Sequence, residues 1–191
     1  LTMTLAGRVG TGNIAGVAVA ITLAAIYAEQ VIGFLPQETM VLILVLNVAA
    51  AAGAFGGGHL QDRIGHKLTL GLTLLGWIAT CVIAALAATK GQFWVAATIA
   101  GLSMGSCQSV GRAMVGLFAP RAQLAEFFGL WSFATRLASI VGPLAYGLIT
   151  WGTGGNQRVA IACTTLLFVL GLMALALIDV VRGRAMGQQK L

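Results

Sequence analysis

Asp62, Arg63 and Lys67 fall within six positions of one another in "GGHLQDRIGHK" at 57–67, with His59 and His66 beside them. A carboxylate, a guanidinium and an ammonium at this spacing can bond acids, backbone carbonyls or the positive end of a helix. Bonds of that kind form in one conformation and break in another, which is how a latch works. Gly58 would let the end of a helix pack closely, and Gly65 would supply the backbone freedom of a tight turn. The two histidines stand seven apart without companion acids or thiols, so no metal site is expected. The "GGG" at 56–58 ends an apolar run and follows no strand, which argues against nucleotide binding. With no nucleophile–base pair either, the sequence gives no reason to expect an enzyme or a cofactor.

The other candidates sit inside apolar runs, where an ionisable or amide group is costly and marks function. Arg136 lies about 12 Å into its run at 1.5 Å per residue. A cation there would line a pathway, attracting an anionic group or an acid from elsewhere, unless it snorkels to the surface. Gln108 and Arg112 are four apart and share one helical face beside Ser109, as a cavity lining or a gate would require. Asn47 is an amide of the same kind, and Asn13 and Thr22 are weaker candidates that would bond neighbouring backbone. Pro143 would kink its helix. Glu29, Glu38 and Asp179 read as helix-end acids, and Glu126 complements the start of a helix. Trp77, Trp94, Trp131 and Trp151 read as interface or packing aromatics. Cys81, Cys107 and Cys163 read as small buried hydrophobes, without disulfide or metal.

These residues need elements to hold them. Of 191 residues, 59% are hydrophobic and 8% charged, and five acids with eleven bases cannot cover a water-soluble domain. The solvent is then lipid, and the bilayer is the first partner expected. The net charge of +6 does not point to nucleic acid, because the cations are scattered singly between apolar spans. Stretches of about 20 apolar residues suit helices, and the short alternating segments of a membrane barrel are missing. The spans fall at about 11–34, 39–60, 68–89, 93–117, 128–150 and 158–181. The expected fold is therefore an all-α membrane protein of six transmembrane helices, with residues 1–191 as a single domain. With the N-terminus cytoplasmic, Arg8, Arg63, Lys67, Arg121, Arg182, Arg184 and Lys190 face inward, against Lys90 and Arg158 outside. That bias sets both termini in the cytoplasm. Glycine, at 26 residues, gathers in "GAFGGGHL" at 53–60 and "GLSMGSCQSVG" at 101–111, which read as faces where helices approach closely.

The spaced residues Gly58, Asp62, Arg63, Gly65 and Lys67 resemble the cytoplasmic signature of the major facilitator superfamily, with His66 at its first basic position. "GSCQSVGRAMVGLFAP" at 105–120, "AEFFGLWSFATRLASIVGPLAYGLIT" at 125–150, "TGGNQRVAI" at 153–161 and "AAIYAEQVIG" at 24–33 resemble the C-terminal half of its vacuole-effluxer-like branch. The resemblance implies helices seven to twelve of a twelve-helix transporter, built as two inverted three-helix repeats. It also implies a small-molecule solute such as an amino acid, and a partner that is an N-terminal six-helix half or a second copy of this chain. The location implied is a bacterial inner membrane or one derived from it. The branch carries an Asp before the glycine that matches Gly16, and this chain has Ala15 there. That departure keeps a second reading open, a non-transporting scaffold subunit. The start at Leu1 in place of Met is what a fragment would show.

Overall fold

The computed structural model describes residues 28–29, 32–120, 123–155 and 157–176. Its helices are α1 (Pro36–Ile64), α2 (His66–Leu86), α3 (Lys90–Phe118), α4 (Leu124–Gly152) and α5 (Gln157–Ala176). Among the described residues there is no strand. The expected span at 11–34 lies outside the described residues except at its end, as does the stretch beyond 176. Each helix starts before its apolar run, because caps extend it past the lipid-facing part. The clearest case is α3, where Thr89 Oγ1 accepts from the Gln92 amide and Gln92 Oε1 accepts from the Thr89 amide. That reciprocal pair satisfies two otherwise orphaned donors.

Among the described residues, α1, α2, α4 and the Val159–Ala176 part of α5 are long and apolar enough to cross a membrane. α3 is not one of these, although a span was expected at 93–117. Gln92, Ser103, Ser106, Gln108, Ser109 and Arg112 dilute its apolar character. It is nonetheless the helix on which the packing centres, with α1 and α2 both packed along it. The glycines make this possible. A Cβ at Gly53 would fall on the Leu102 backbone, one at Gly101 on the Leu46 carbonyl, and one at Gly105 on the Ala50 carbonyl. The numbers rise together, 46 beside 101, 50 beside 105 and 57 beside 106, so α1 and α3 run parallel with α2 reversed between them. Ser106 Oγ donates to the Gly53 carbonyl at 2.7 Å across this contact. Both glycine-rich stretches are thus close-approach faces, as their composition led one to expect.

The core lies in two layers. Trp77 stacks on Phe168 at 5.2 Å, among Leu70, Leu74, Cys107, Val110 and Met114. Nearer the start of α1, Phe34, Leu42, Ala84, Phe93 and Ala97 form the second. α4 stands apart from both. Trp131 lies over Gly111 of α3, and Tyr146 meets Ala160 of α5, but only 12% of its apolar stretch is buried, against 44% for α2.

Candidate functional site

The signature stretch folds as one sharp corner. α1 ends at Ile64, Gly65 alone connects, and α2 starts at His66. Gly65 has φ 88° and ψ 158°, a conformation open in practice to glycine only. Its amide donates to the Gln61 carbonyl, and its carbonyl accepts from the Thr69 amide and hydroxyl. The turn expected at Gly65 is therefore present. Gly58 is less tightly held than expected. A Cβ there would meet Ser109 Oγ at 3.8 Å, whereas one at Gly57 would meet Ser106 at 2.8 Å. The close-packing glycine is Gly57, one position earlier.

The corner sorts its charges. Asp62 and Arg63 are exposed on the last turn of α1. Lys67 is half-buried, and its Nζ donates to the Ala176 carbonyl of α5 at 3.1 Å. Lys67 thus ties the corner to this chain's last described helix, while Asp62 and Arg63 face outward. His59 stacks on exposed Phe55 at 6.3 Å. Among the described residues no three or more His, Cys, Asp or Glu side chains gather as a metal would need.

The candidate pathway groups share one property: Asn47, Gln108, Arg112 and Arg136 are all exposed. Asn47 Nδ2 donates to the Ile43 carbonyl of its own helix at 2.8 Å, so its amide is half-satisfied locally. Gln108 and Arg112 continue, at helical spacing, the α3 face that carries Gly101 and Gly105, and both are exposed there. Arg136 is the thirteenth residue of α4, about 18 Å along a helix about 42 Å long. Ser139 Oγ donates to the Arg136 carbonyl at 2.7 Å. α4 runs unbroken across Pro143, which has no N–H to offer the Ser139 carbonyl one turn back.

Sequence reasoning missed one ion pair. Lys90 Nζ lies 2.6 Å from Glu38 Oε2 and 5.4 Å from the Phe34 ring centre, so it joins the start of α3 to the start of α1. Glu38 also accepts from the Leu35 amide at 2.8 Å. It is a structural acid at a helix start, and no local signal connects two residues 52 apart.

Residues 13–188 match the family model described as vacuole effluxer Atg22 like. The chain is 28% identical over 175 residues to the "uncharacterized MFS-type transporter YxiO" of Bacillus subtilis, covering 92% of this chain and 40% of that protein. It is 35% identical over 95 residues to autophagy-related protein 22 of Saccharomyces cerevisiae, half of this chain and 18% of that one. With autophagy-related protein 22 of Cryptococcus neoformans the identity is 26% over 177 residues, 84% of this chain and 32% of the relative. The chain thus spans less than half the length of each of these curated relatives.

Proposed function

The chain belongs to the vacuole effluxer Atg22-like family, a transporter family, and from that premise we propose that it is one six-helix half of a secondary transporter. In this reading a second six-helix body, an N-terminal half or another copy, completes the molecule. A small solute, an amino acid or a related metabolite, binds between the two near the middle of the bilayer and is released by their rocking. Asn47, Gln108, Arg112 and Arg136 line or gate that pathway. Gly58, Asp62, Arg63, Gly65 and Lys67 form the cytoplasmic corner that closes it, and Pro143 shapes the cavity wall. The spans at 11–34 and 93–117 complete a set of six, with both termini cytoplasmic.

One observation carries this reading. On the same outer surface as the large apolar side chains that lipid would cover, Asn47, Gln108, Arg112 and Arg136 are exposed. Lipid is a poor solvent for them. A second body enclosing water around them removes that cost, and a scaffold subunit with a wholly apolar contact would not need them.

The test is flux. The protein and whatever it co-purifies with are reconstituted into vesicles preloaded with an amino-acid mixture, and release is followed by mass spectrometry. Arg112→Gln should slow release at least tenfold while assembly is intact. Unchanged release with lost assembly would establish the scaffold reading instead. The intact mass in the native membrane identifies the second body. A value near 19.6 kDa means a separate subunit, and one near twice that means a fused half.

A further inference from the structure

α1 and α3 start side by side, and the residue that opens α3 has the wrong charge for its position. Lys90 is the first residue of that helix, where free amides form a positive pole, and the first turn holds no acid to answer it. A cation there weakens its own helix, so its favourable contacts lie elsewhere. Its Nζ meets Glu38 Oε2 of α1 at 2.6 Å and stands 5.4 Å from the centre of the Phe34 ring.

Phe34 is the other half of the arrangement. It is buried, with its ring edge-on to Phe93 at 5.8 Å and tilted to Trp94 at 6.1 Å. Its amide donates to the Ala28 carbonyl at 3.0 Å, and Ala28 is buried in the same layer with Ala84 and Ala87. Gly33 just before it has φ 75°, and a Cβ there would meet nothing within 4 Å, so the chain can pivot directly ahead of the ring. Glu38 returns to the same connection by accepting from the Leu35 amide at 2.8 Å. Each charged group therefore makes two contacts, and losing one weakens the other. At 43% and 37% exposure the pair meets water, where such contacts are weak enough to release.

We propose that Phe34, Glu38 and Lys90 form a releasable clasp, which holds the connection before α1 shut over the core layer at this end of the bundle. With the ion pair made, the Phe34 ring closes the layer that contains Ala87. With it broken, the connection turns about Gly33, the ring lifts and water reaches Ala87. α1 then carries a closure at each end, the Gly65 corner at one and this clasp at the other. The clasp involves no solute, so its failure would leave the transporter reading standing.

Thiol protection at residue 87, which is 1% exposed, tests this. Ala87→Cys is placed in the complete protein, and permeabilised membranes are treated with a maleimide. Labelling is read by mass spectrometry on the peptide holding residue 87, so the other thiols can stay. When opening is fast, the rate follows the population of the open form. Lys90→Gln and Glu38→Gln should each raise it about three- to tenfold, through the ion pair and the ring contact together. The double variant should add little to either, and Lys90→Arg should keep the protection. A control thiol, Ala100→Cys in the other core layer, should hold its rate throughout. Simple helix capping gives the opposite forecast for Lys90→Gln, because removing a cation from a helix start steadies the helix. An unchanged or slower rate in Lys90→Gln would therefore overturn the clasp. A parallel rise at Ala100→Cys would overturn it too, since that marks general loosening. Should Ala87→Cys fail to fold, Ala84→Cys, about one turn earlier in α2, gives the same comparison.

Discussion

Gly65 holds the corner between α1 and α2 in a backbone region that costs any other residue about 1–3 kcal/mol. Gly65→Ala should lower stability by that amount, measured as the thermal midpoint of the solubilised protein, while Gly58→Ala should move it little. Equal effects would mean that the turn relaxes freely. Ser106→Ala removes the hydroxyl bond to the Gly53 carbonyl, and bonds of this kind within membranes are worth about 0.6 kcal/mol. Its midpoint should therefore shift only slightly, and a loss as large as that of Gly65→Ala would make the hydroxyl the main tie between α1 and α3. The turn at Gly65 was legible because a signature spacing demands positive φ at one named place. The close contact at Gly57 was not, since three consecutive glycines face three different directions and only the packed partner selects one.

At the scale of elements, α3 is the hub although it is not among the helices apolar enough to cross a membrane. Its contact with α1 depends on missing side chains, so Gly105→Ala would drive a methyl into the Ala50 carbonyl. Gly116, on the same helix, has nothing within 4 Å of a built Cβ. Gly116→Ala should therefore be neutral or stabilising by about 1 kcal/mol through helix propensity, whereas Gly105→Ala should separate α1 from α3. Disulfide trapping between cysteines at 58 and 109, where a Cβ at Gly58 would meet Ser109 Oγ at 3.8 Å, reports this separation directly, and equal behaviour of the two alanine variants would sink the packing argument. The helix starts were legible to within about four residues, because apolar runs mark the lipid-facing part and each helix continues through its cap. The Glu38–Lys90 pair was hidden, since nothing local joins two helix starts that only folding brings together.

For the whole molecule, the parallel run of α1 and α3 fixes which ends lie together. The Gly65 corner and Ala119–Pro120 share one end, and Ala87–Thr89 and Thr153–Gly155 lie at the other. From the lysine and arginine count the first end is expected in the cytoplasm, an expectation about translocation that packing cannot supply. The two arguments are independent, so their agreement can be tested at single sites. A membrane-impermeant maleimide applied to intact cells should label Thr153→Cys and spare Gln123→Cys, and opening the cells should reverse the protection of the latter. Labelling of both positions from outside would break the antiparallel passage of α4, because 29 helical residues are long enough to carry one end across the bilayer from the other. Labelling of Gln123→Cys alone would keep the fold and invert it. Asp62 and Arg63 would then face outward, and the corner could not serve as a cytoplasmic gate.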